Sequence, residues 1–328
     1  MLASPPSRLF LGILPWYSVL IVTGVVLAII LAVREQKRVS LPDDTILDLA
    51  LFLLPAGIIG ARLYYVVFSW DAFKNDLLSV FRIWEGGLAI YGGIIGGFLA
   101  LVIFCRVRSL SLFLLCDLIV PGLALAQSIG RWGNYFNMEA YGAQVTNPVL
   151  QFFPFAVLIT RESGSAWFMA TFFYESLWNF LVFLFLLRGR RRSFRKTGDV
   201  FSFYLLLYGA GRLVIEDFRS DSLYAAGGVR ISQLLSLCLC MAVLICFFIR
   251  RIRESKPMSP LALCLFLLVC AGAFPVFLDS LKLWSPVSDL LLHRFLMLAS
   301  FSFCTIAAAL VIYGKSTPEE VRYAVHTA

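Results

Sequence analysis

The sequence predicts an all-α fold, that of a polytopic helical membrane protein, on three observations. Of 328 residues, 60% are hydrophobic and 15% charged, and the mean hydropathy is +0.85. A water-soluble chain of this size is not so apolar. Apolar runs of about 20 residues, the length that crosses a bilayer as a helix, recur from end to end. Lys and Arg gather in alternate connections between those runs, the asymmetry that orients membrane proteins. That distribution also decides the meaning of a net charge of +8 and a pI of 9.2: the charge is a topology signal, and no nucleic acid partner is expected.

Nine candidate spans follow in order, at roughly 12–33, 45–69, 87–105, 109–129, 166–187, 199–216, 231–249, 260–278 and 289–313. The first is apolar from Phe10 to Val33, too long for the apolar region of a secretory signal, and no small-residue cleavage site precedes Arg34. It is expected to remain as a span. Arg34, Lys37 and Arg38 follow it, and Arg106 and Arg108 follow the third. Arg188, Arg190, Arg191, Arg192, Arg195 and Lys196 follow the fifth, and Arg250, Arg251, Arg253 and Lys256 the seventh. The positive-inside rule makes these connections cytoplasmic, with the N-terminus outside and the C-terminus inside. The run at 188–196 then faces anionic headgroups. All eight cysteines fall in apolar runs without metal-ligand spacing, and only His293 and His326 supply imidazoles. Neither a zinc site nor a disulfide framework is predicted, and the cysteines read as small packing residues.

With that orientation, the unusual polar residues of five spans fall in the outer half of the bilayer. Tyr17 is early in the first span, Arg62 late in the second, Tyr91 early in the third, Arg131 at the end of the fourth, and Arg212 and Glu216 at the end of the sixth. Charge within a span faces the bundle interior or a watery cavity. A cluster confined to one leaflet points to binding or chemistry at the outer surface, whereas transporter sites lie nearer the midplane.

The segments add detail in turn. Trp16-Tyr17 suits either an interfacial aromatic belt or a substrate contact. Gly60-Ala61-Arg62-Leu63-Tyr64-Tyr65 puts Arg62 and Tyr65 on one helical face. The pairs Gly92/Gly96 and Gly93/Gly97 fit close helix packing, which leaves the Tyr91 hydroxyl to find a partner. Asp117 in the fourth span reads as a partner for a neighbouring helix. That span ends in Gly130-Arg131-Trp132-Gly133-Asn134-Tyr135-Phe136-Asn137-Met138-Glu139-Ala140-Tyr141-Gly142. Its Arg131, Asn134, Asn137 and Glu139 are costly at a membrane boundary unless they pair or bind something. Its glycines allow close approach of a ligand to the backbone. The connection 130–165, with Phe152, Phe153 and Phe155, is expected to form a small external lid between the fourth and fifth helices. In the sixth span Tyr208, Arg212, Glu216 and Arg219 recur at helical spacing as one polar stripe. Arg212–Glu216 serves equally as a structural pair, but two arginines on a stripe facing Arg131 fit an anion site.

These motifs, in this order, resemble the prolipoprotein diacylglyceryl transferase family. The central stretch is similar to its Gly-Arg-x-Gly-Asn-Phe-x-Asn-x-Glu-x-x-Gly pattern, with Tyr135 where Phe is usual. Trp16-Tyr17, Gly60 to Tyr65, Trp84-Glu85-Gly86-Gly87 with Gly92-Gly93, Tyr174-Glu175, and Tyr208-Gly-x-x-Arg212-x-x-x-Glu216 complete the likeness over about 12–250. Two departures stand out. Tyr91 occupies a position that is His in many members, and Ala170-Thr171-Phe172-Phe173 replaces the usual Pro-x-Gln-Leu.

The resemblance implies a seven-helix core, residues 1–258, and an extension, 259–328, whose two further transmembrane helices are left without a function. It implies transfer of the diacylglyceryl group of phosphatidylglycerol to the lipobox cysteine thiol of prolipoproteins in the bacterial cytoplasmic (inner) membrane. A thioether forms and glycerol-1-phosphate leaves, the first step of lipoprotein maturation. Membrane lipid and the lipobox segment are the implied partners, with no metal or cofactor. Arg131 and Arg212 would clamp the departing phosphate, with Arg62 and Arg219 nearby. A thiol with a pKa near ~8.5 needs help to ionise, and Tyr91 would supply or relay it. Tyr17, Asn134, Asn137, Glu139, Gly142 and Glu216 would contact the headgroup or hold the arginines. Two other classes remain open: a lipid or anion transporter, which an internal inverted repeat would mark, and an inactive phosphatidylglycerol-binding relative, favoured by Tyr91 alone.

The topology is directly testable. In a background without native cysteines, Ser163→Cys is expected to label with an impermeant thiol reagent in intact cells, whereas Ser193→Cys and Ala328→Cys stay protected. Labelling at 193 with protection at 163 would invert the map.

Overall fold

A computed structural model describes residues 7–161, 164–192, 194, 196–219, 230–254, 259–280 and 291–313. Ser163, Ser193 and Ala328, the positions that report topology, lie outside the described residues. The described residues form nine long helices: α1 (Trp16–Arg38), α2 (Thr45–Phe68), α3 (Ile90–Val107), α4 (Leu112–Asn137), α5 (Thr171–Arg192), α6 (Asp199–Ile215), α7 (Ile231–Arg253), α8 (Pro260–Ser280) and α9 (Leu291–Tyr313). Eight of them are long and apolar enough to cross a membrane, one fewer than expected. The ninth, α6, has 17 residues and tightens into a 3-10 turn at Glu216–Phe218.

Among the described residues, strands form two antiparallel hairpins, β1 (Leu9–Phe10) with β2 (Leu14–Pro15), and β3 (Ala156–Arg161) with β4 (Gly164–Met169). The second hairpin lies in the connection between α4 and α5. That connection starts later than 130 because α4 runs on through Asn137, so the first half of the central motif is helical. Trp132 and Tyr135 keep that last part of α4 packed, their rings 5.6 and 5.4 Å from Phe172. The helix stops where Met138 takes a left-handed φ of 54°.

Contacts divide the chain into two compact units, residues 1–28 with 120–328, and residues 29–119. In the smaller unit α2 and α3 meet through glycine. A Cβ on Gly60 would sit 2.9 Å from Gly96 Cα, and one on Gly92 would sit 2.9 Å from the Gly60 carbonyl carbon. Of the two overlapping pairs in α3, Gly92/Gly96 makes this contact, whereas Gly97 faces open space.

In the larger unit, small residues bring α1 against α4: a Cβ on Gly122 would lie 2.8 Å from Ala28 Cα, and one on Gly24 3.0 Å from Ala126 Cα. Ser128 and Ser176 join α4 to α5, each hydroxyl donating to the other's carbonyl at 2.8 Å. Trp178 Nε1 donates to the Leu207 carbonyl at 2.9 Å, joining α5 to α6. The helix α9 packs against α6, α7 and α8, and α8 against α7.

Gly92→Ala is expected to lower stability by about 1–3 kcal/mol through overpacking. Gly97→Ala, with open space around it, should be neutral or slightly stabilising because Ala is the better helix former. Thermal unfolding in detergent distinguishes the two, and equal melting temperatures would remove the glycine contact as a determinant of α2–α3 packing.

Candidate active site

The polar centre of the larger unit is built around one carboxylate. Glu175 lies one turn into α5, whose start is tied to the connection from α4: Thr171 Oγ1 donates to the Ala140 carbonyl at 2.7 Å, and Tyr174 Oη to the Phe155 carbonyl at 2.5 Å. The Glu175 side chain is only 5% exposed, so its charge needs partners. Three arginines supply them. Arg131 Nη2 from α4 meets Oε2 at 2.7 Å, while Arg212 Nη1 from α6 and Arg219 Nη1 just beyond α6 meet Oε1 at 3.1 and 2.7 Å. Arg212 also holds Glu216 Oε2 through Nη2 at 2.6 Å, one helical turn along. Asp217 pairs with Arg230 beside them.

Three guanidinium groups against the carboxylates of Glu175 and Glu216 give this cluster a formal excess of one positive charge. Its accessible edge is not uniform. Arg131 and Arg212 side chains are 25% and 18% exposed, whereas Arg219 is 10% and Glu216 1% exposed. The most accessible guanidinium groups of the cluster are therefore those of Arg131 and Arg212, each paired with Glu175.

The rest of the central motif forms the turn that leads out of α4. Glu139 N–H donates to the Asn134 carbonyl at 3.0 Å, and Asn137 Nδ2 donates to Glu139 Oε1 at 3.1 Å. Ala140 repeats the left-handed backbone of Met138, at φ 55°. The turn delivers Gly142, whose N–H donates to the Met169 carbonyl at 2.9 Å and whose backbone pairs antiparallel with Arg219. A Cβ on Gly142 would lie 2.9 Å from both Met169 Cβ and Thr171 Cγ2. Gly142 is thus the backbone seat of Arg219. Tyr17 reaches the same motif from α1: Gly133 lacks the Cβ that would stand 2.6 Å from Tyr17 Cδ2, and Trp16 stacks on Phe136 with centroids 4.8 Å apart.

Contacts therefore link Tyr17, Arg131, Asn134, Asn137, Glu139, Gly142, Arg212, Glu216 and Arg219 to the central motif or to Glu175. Arg62 and Tyr91 belong to the unit of residues 29–119. Arg62, expected to meet substrate, directs all five N–H groups at backbone carbonyls: Nε to Val80 at 2.8 Å, Nη1 to Gly86 and Gly87 at 2.6 and 3.0 Å, and Nη2 to Ser79 and Arg82 at 2.7 and 3.3 Å. With its donors spent in this way, Arg62 organises the 79–87 segment and has none to offer a phosphate. Tyr91 is the second residue of α3, half-buried, with its ring 6.5 Å from that of Tyr64.

The residue that sequence reasoning passed over as a site is Glu175. Its signal was present, an acidic side chain in an apolar span beside Tyr174, but its convergence with Arg131, Arg212 and Arg219 needs three helices folded together. Among the described residues no group of three His, Cys, Asp or Glu side chains converges as a metal site.

Removing the central carboxylate leaves three partly buried guanidinium groups without their shared counter-ion. Glu175→Ala is expected to cost about 3–5 kcal/mol. The exposed pair Lys74–Asp71 provides the contrast, since Lys74→Ala should cost about 0–1 kcal/mol. Melting curves of the two variants in detergent decide this, and an unchanged melting temperature for Glu175→Ala would deny the carboxylate its central role.

Comparison with known proteins agrees with this architecture. A model of the family described as prolipoprotein diacylglyceryl transferase matches residues 9–250. A phosphatidylglycerol--prolipoprotein diacylglyceryl transferase from Limosilactobacillus reuteri is 47% identical over 240 residues, 72% of this chain and 86% of the relative. Proteins of the same name from Enterococcus faecalis and Streptococcus suis are 44% and 43% identical, covering 72% and 74% of this chain and 86% and 90% of their own. With a family match over most of its length and eight helices able to cross a bilayer, the chain is a multi-pass membrane protein that belongs to the prolipoprotein diacylglyceryl transferase family.

Proposed function

We propose that this protein transfers the diacylglyceryl group of phosphatidylglycerol to the lipobox cysteine thiol of a prolipoprotein, at the outer face of the bacterial cytoplasmic membrane. The observation that carries the reading is the Glu175-centred arginine cluster, set at the ends of helices in a chain of this family. In the reaction a carbon–sulfur bond forms at the glyceryl carbon as its bond to the phosphate oxygen breaks. The thiol proton is lost, and glycerol-1-phosphate departs with the bonding electrons.

The charge change explains why arginines suit this step. Phosphatidylglycerol brings a singly charged phosphodiester, and the leaving monoester develops a second negative charge. Donors fixed in advance where that charge grows stabilise the transition state more than the bound lipid. Arg131 and Arg212 are the donors at the accessible edge, and Glu175 and Glu216 hold their planar forks in a fixed orientation. Arg219, seated by Gly142, completes the positive field from behind. Tyr17, Asn134, Asn137 and Glu139 supply hydrogen-bonding groups for the glycerol headgroup. Tyr91 is assigned to the thiol on the sequence resemblance, directing or relaying its proton. Arg62 acts through the 79–87 segment that it holds. The basic connections give this reading its orientation, N-terminus outside and C-terminus in the cytoplasm.

Purified protein, phosphatidylglycerol and a synthetic lipobox peptide, analysed by mass spectrometry, test the proposal. The peptide should gain one diacylglyceryl group as glycerol phosphate appears. Arg131→Ala and Arg212→Ala are each expected to lower turnover by about 10²–10³. Arg→Lys should keep only a small, measurable part of the turnover at either position because an ammonium lacks the bidentate fork. Near-normal turnover of both alanine variants would remove the clamp. Tyr91→Phe is expected to reduce turnover by about 10²–10⁴ with lipid binding retained. A loss below roughly tenfold would leave Tyr91 as a packing residue beside Gly92.

A further inference from the structure

The match to the family ends at residue 250, so α9 lies beyond it. Yet α9 touches α6 and the turn that follows it at three levels. At one end Tyr313 Oη donates to the Asp199 carboxylate at 2.5 Å, which Arg250 Nη1 from α7 also meets at 2.5 Å. Asp199 opens α6 and is completely enclosed. Midway, Ser302, 6% exposed, donates its hydroxyl to the Ala210 carbonyl at 3.0 Å. At the far end the ring of Phe295 packs on Phe218, with centroids 5.2 Å apart. Arg251 of α7 donates to the Ile312 carbonyl at 3.3 Å, which holds the last turn of α9 itself.

These three levels bracket the residues that matter. Ala210 stands two residues before Arg212, and Phe218 immediately before Arg219. A helix gripped at one point can still rotate or slide, and at roughly 1.5 Å rise per residue α6 is about 25 Å long. Among these contacts the Ser302 hydrogen bond is directional, lies closest in sequence to Arg212, and sits where a lost partner is not replaced by water.

We propose that α9 is a positioning element for the anion clamp and that Ser302 is its positioning residue. Through the Ala210 carbonyl, Ser302 sets the rotation of α6 that aims Arg212 at Glu175 and at the substrate phosphate. The inference rests on the reading of Arg212 as a phosphate clamp. It gives the helix outside the family match a task within the same reaction, and it predicts sensitivity at a residue that touches no substrate.

Full-length variants assayed with phosphatidylglycerol and the lipobox peptide, at equal amounts of folded protein, test it. Thr305 is the internal control, since its equally buried hydroxyl donates to the Phe301 carbonyl of its own helix at 2.7 Å. A misplacement of about 1 Å in a reacting group costs on the order of 10²-fold, so loss of this one restraint is expected to reduce kcat roughly tenfold in Ser302→Val. Ser302→Thr, which keeps the hydroxyl, should restore turnover, and Thr305→Val should leave it unchanged. In an Arg212→Lys background, Ser302→Val should add little, because residues acting through one another are not additive. Wild-type turnover of Ser302→Val, an equal loss from Thr305→Val, or the same proportional loss in both backgrounds would overturn the positioning role. If Arg212→Ala is inactive while Ser302→Val is not, the clamp stands and only this inference falls. If Arg212→Ala turns over normally, both fall.

Discussion

A carboxylate with three guanidinium partners from three stretches of chain is the constraint on which the larger unit turns. Glu175 is enclosed and is held by all three, and the arginines, partly enclosed, are held together by it. The cost of separating these groups is what brings the ends of α4, α5 and α6 together in an otherwise apolar bundle. Much of the surrounding polar structure serves that meeting. The Ser128–Ser176 exchange fixes α4 against α5, Trp178 fixes α5 against α6, and Gly142 holds the strand-like segment at Arg219.

The arginines of this chain divide by where their donors go. Arg62 is turned inward on its own backbone, with every N–H directed at a carbonyl of the 79–87 segment, and it is a structural residue despite lying in a motif that suggests substrate contact. Arg131 and Arg212 are oriented by carboxylates yet keep an accessible edge, the condition for binding an anion whose charge grows during reaction. The same side chain is thus saturated by fixed carbonyls in one unit and shared between carboxylates with an edge left accessible in the other.

Of the two helices beyond the family match, α9 is joined to the helix that carries Arg212. α9 meets α6 at Asp199, Ala210 and Phe218, so the helix that carries Arg212 is gripped from α5, α7 and α9 together. Polar contacts of this kind are few in an apolar bundle, and their geometry is specific because few competing partners exist.

Hydropathy alone determined the number and order of the long helices, with ends displaced by up to eight residues, because a bilayer-spanning helix has no other way to satisfy its backbone. The central motif and the Arg212–Glu216 pair were also legible, since charged groups among apolar residues stand out and a spacing of four puts them on one helical face. The longer stripe was not: α6 ends at Ile215, and Arg219 reaches Glu175 from extended backbone paired with Gly142. What the sequence left undecided depends on contacts between distant segments. The helical extension of α4 to Asn137, the hairpin between α4 and α5, the capture of Arg62 by carbonyls and the choice of Gly92/Gly96 over Gly93/Gly97 are all set by what packs alongside. Glu175 is the clearest case. Its isolated position in α5 shows only that it needs a partner, and the folded chain decides that it has three, because only there do Arg131, Arg212 and Arg219 reach one carboxylate.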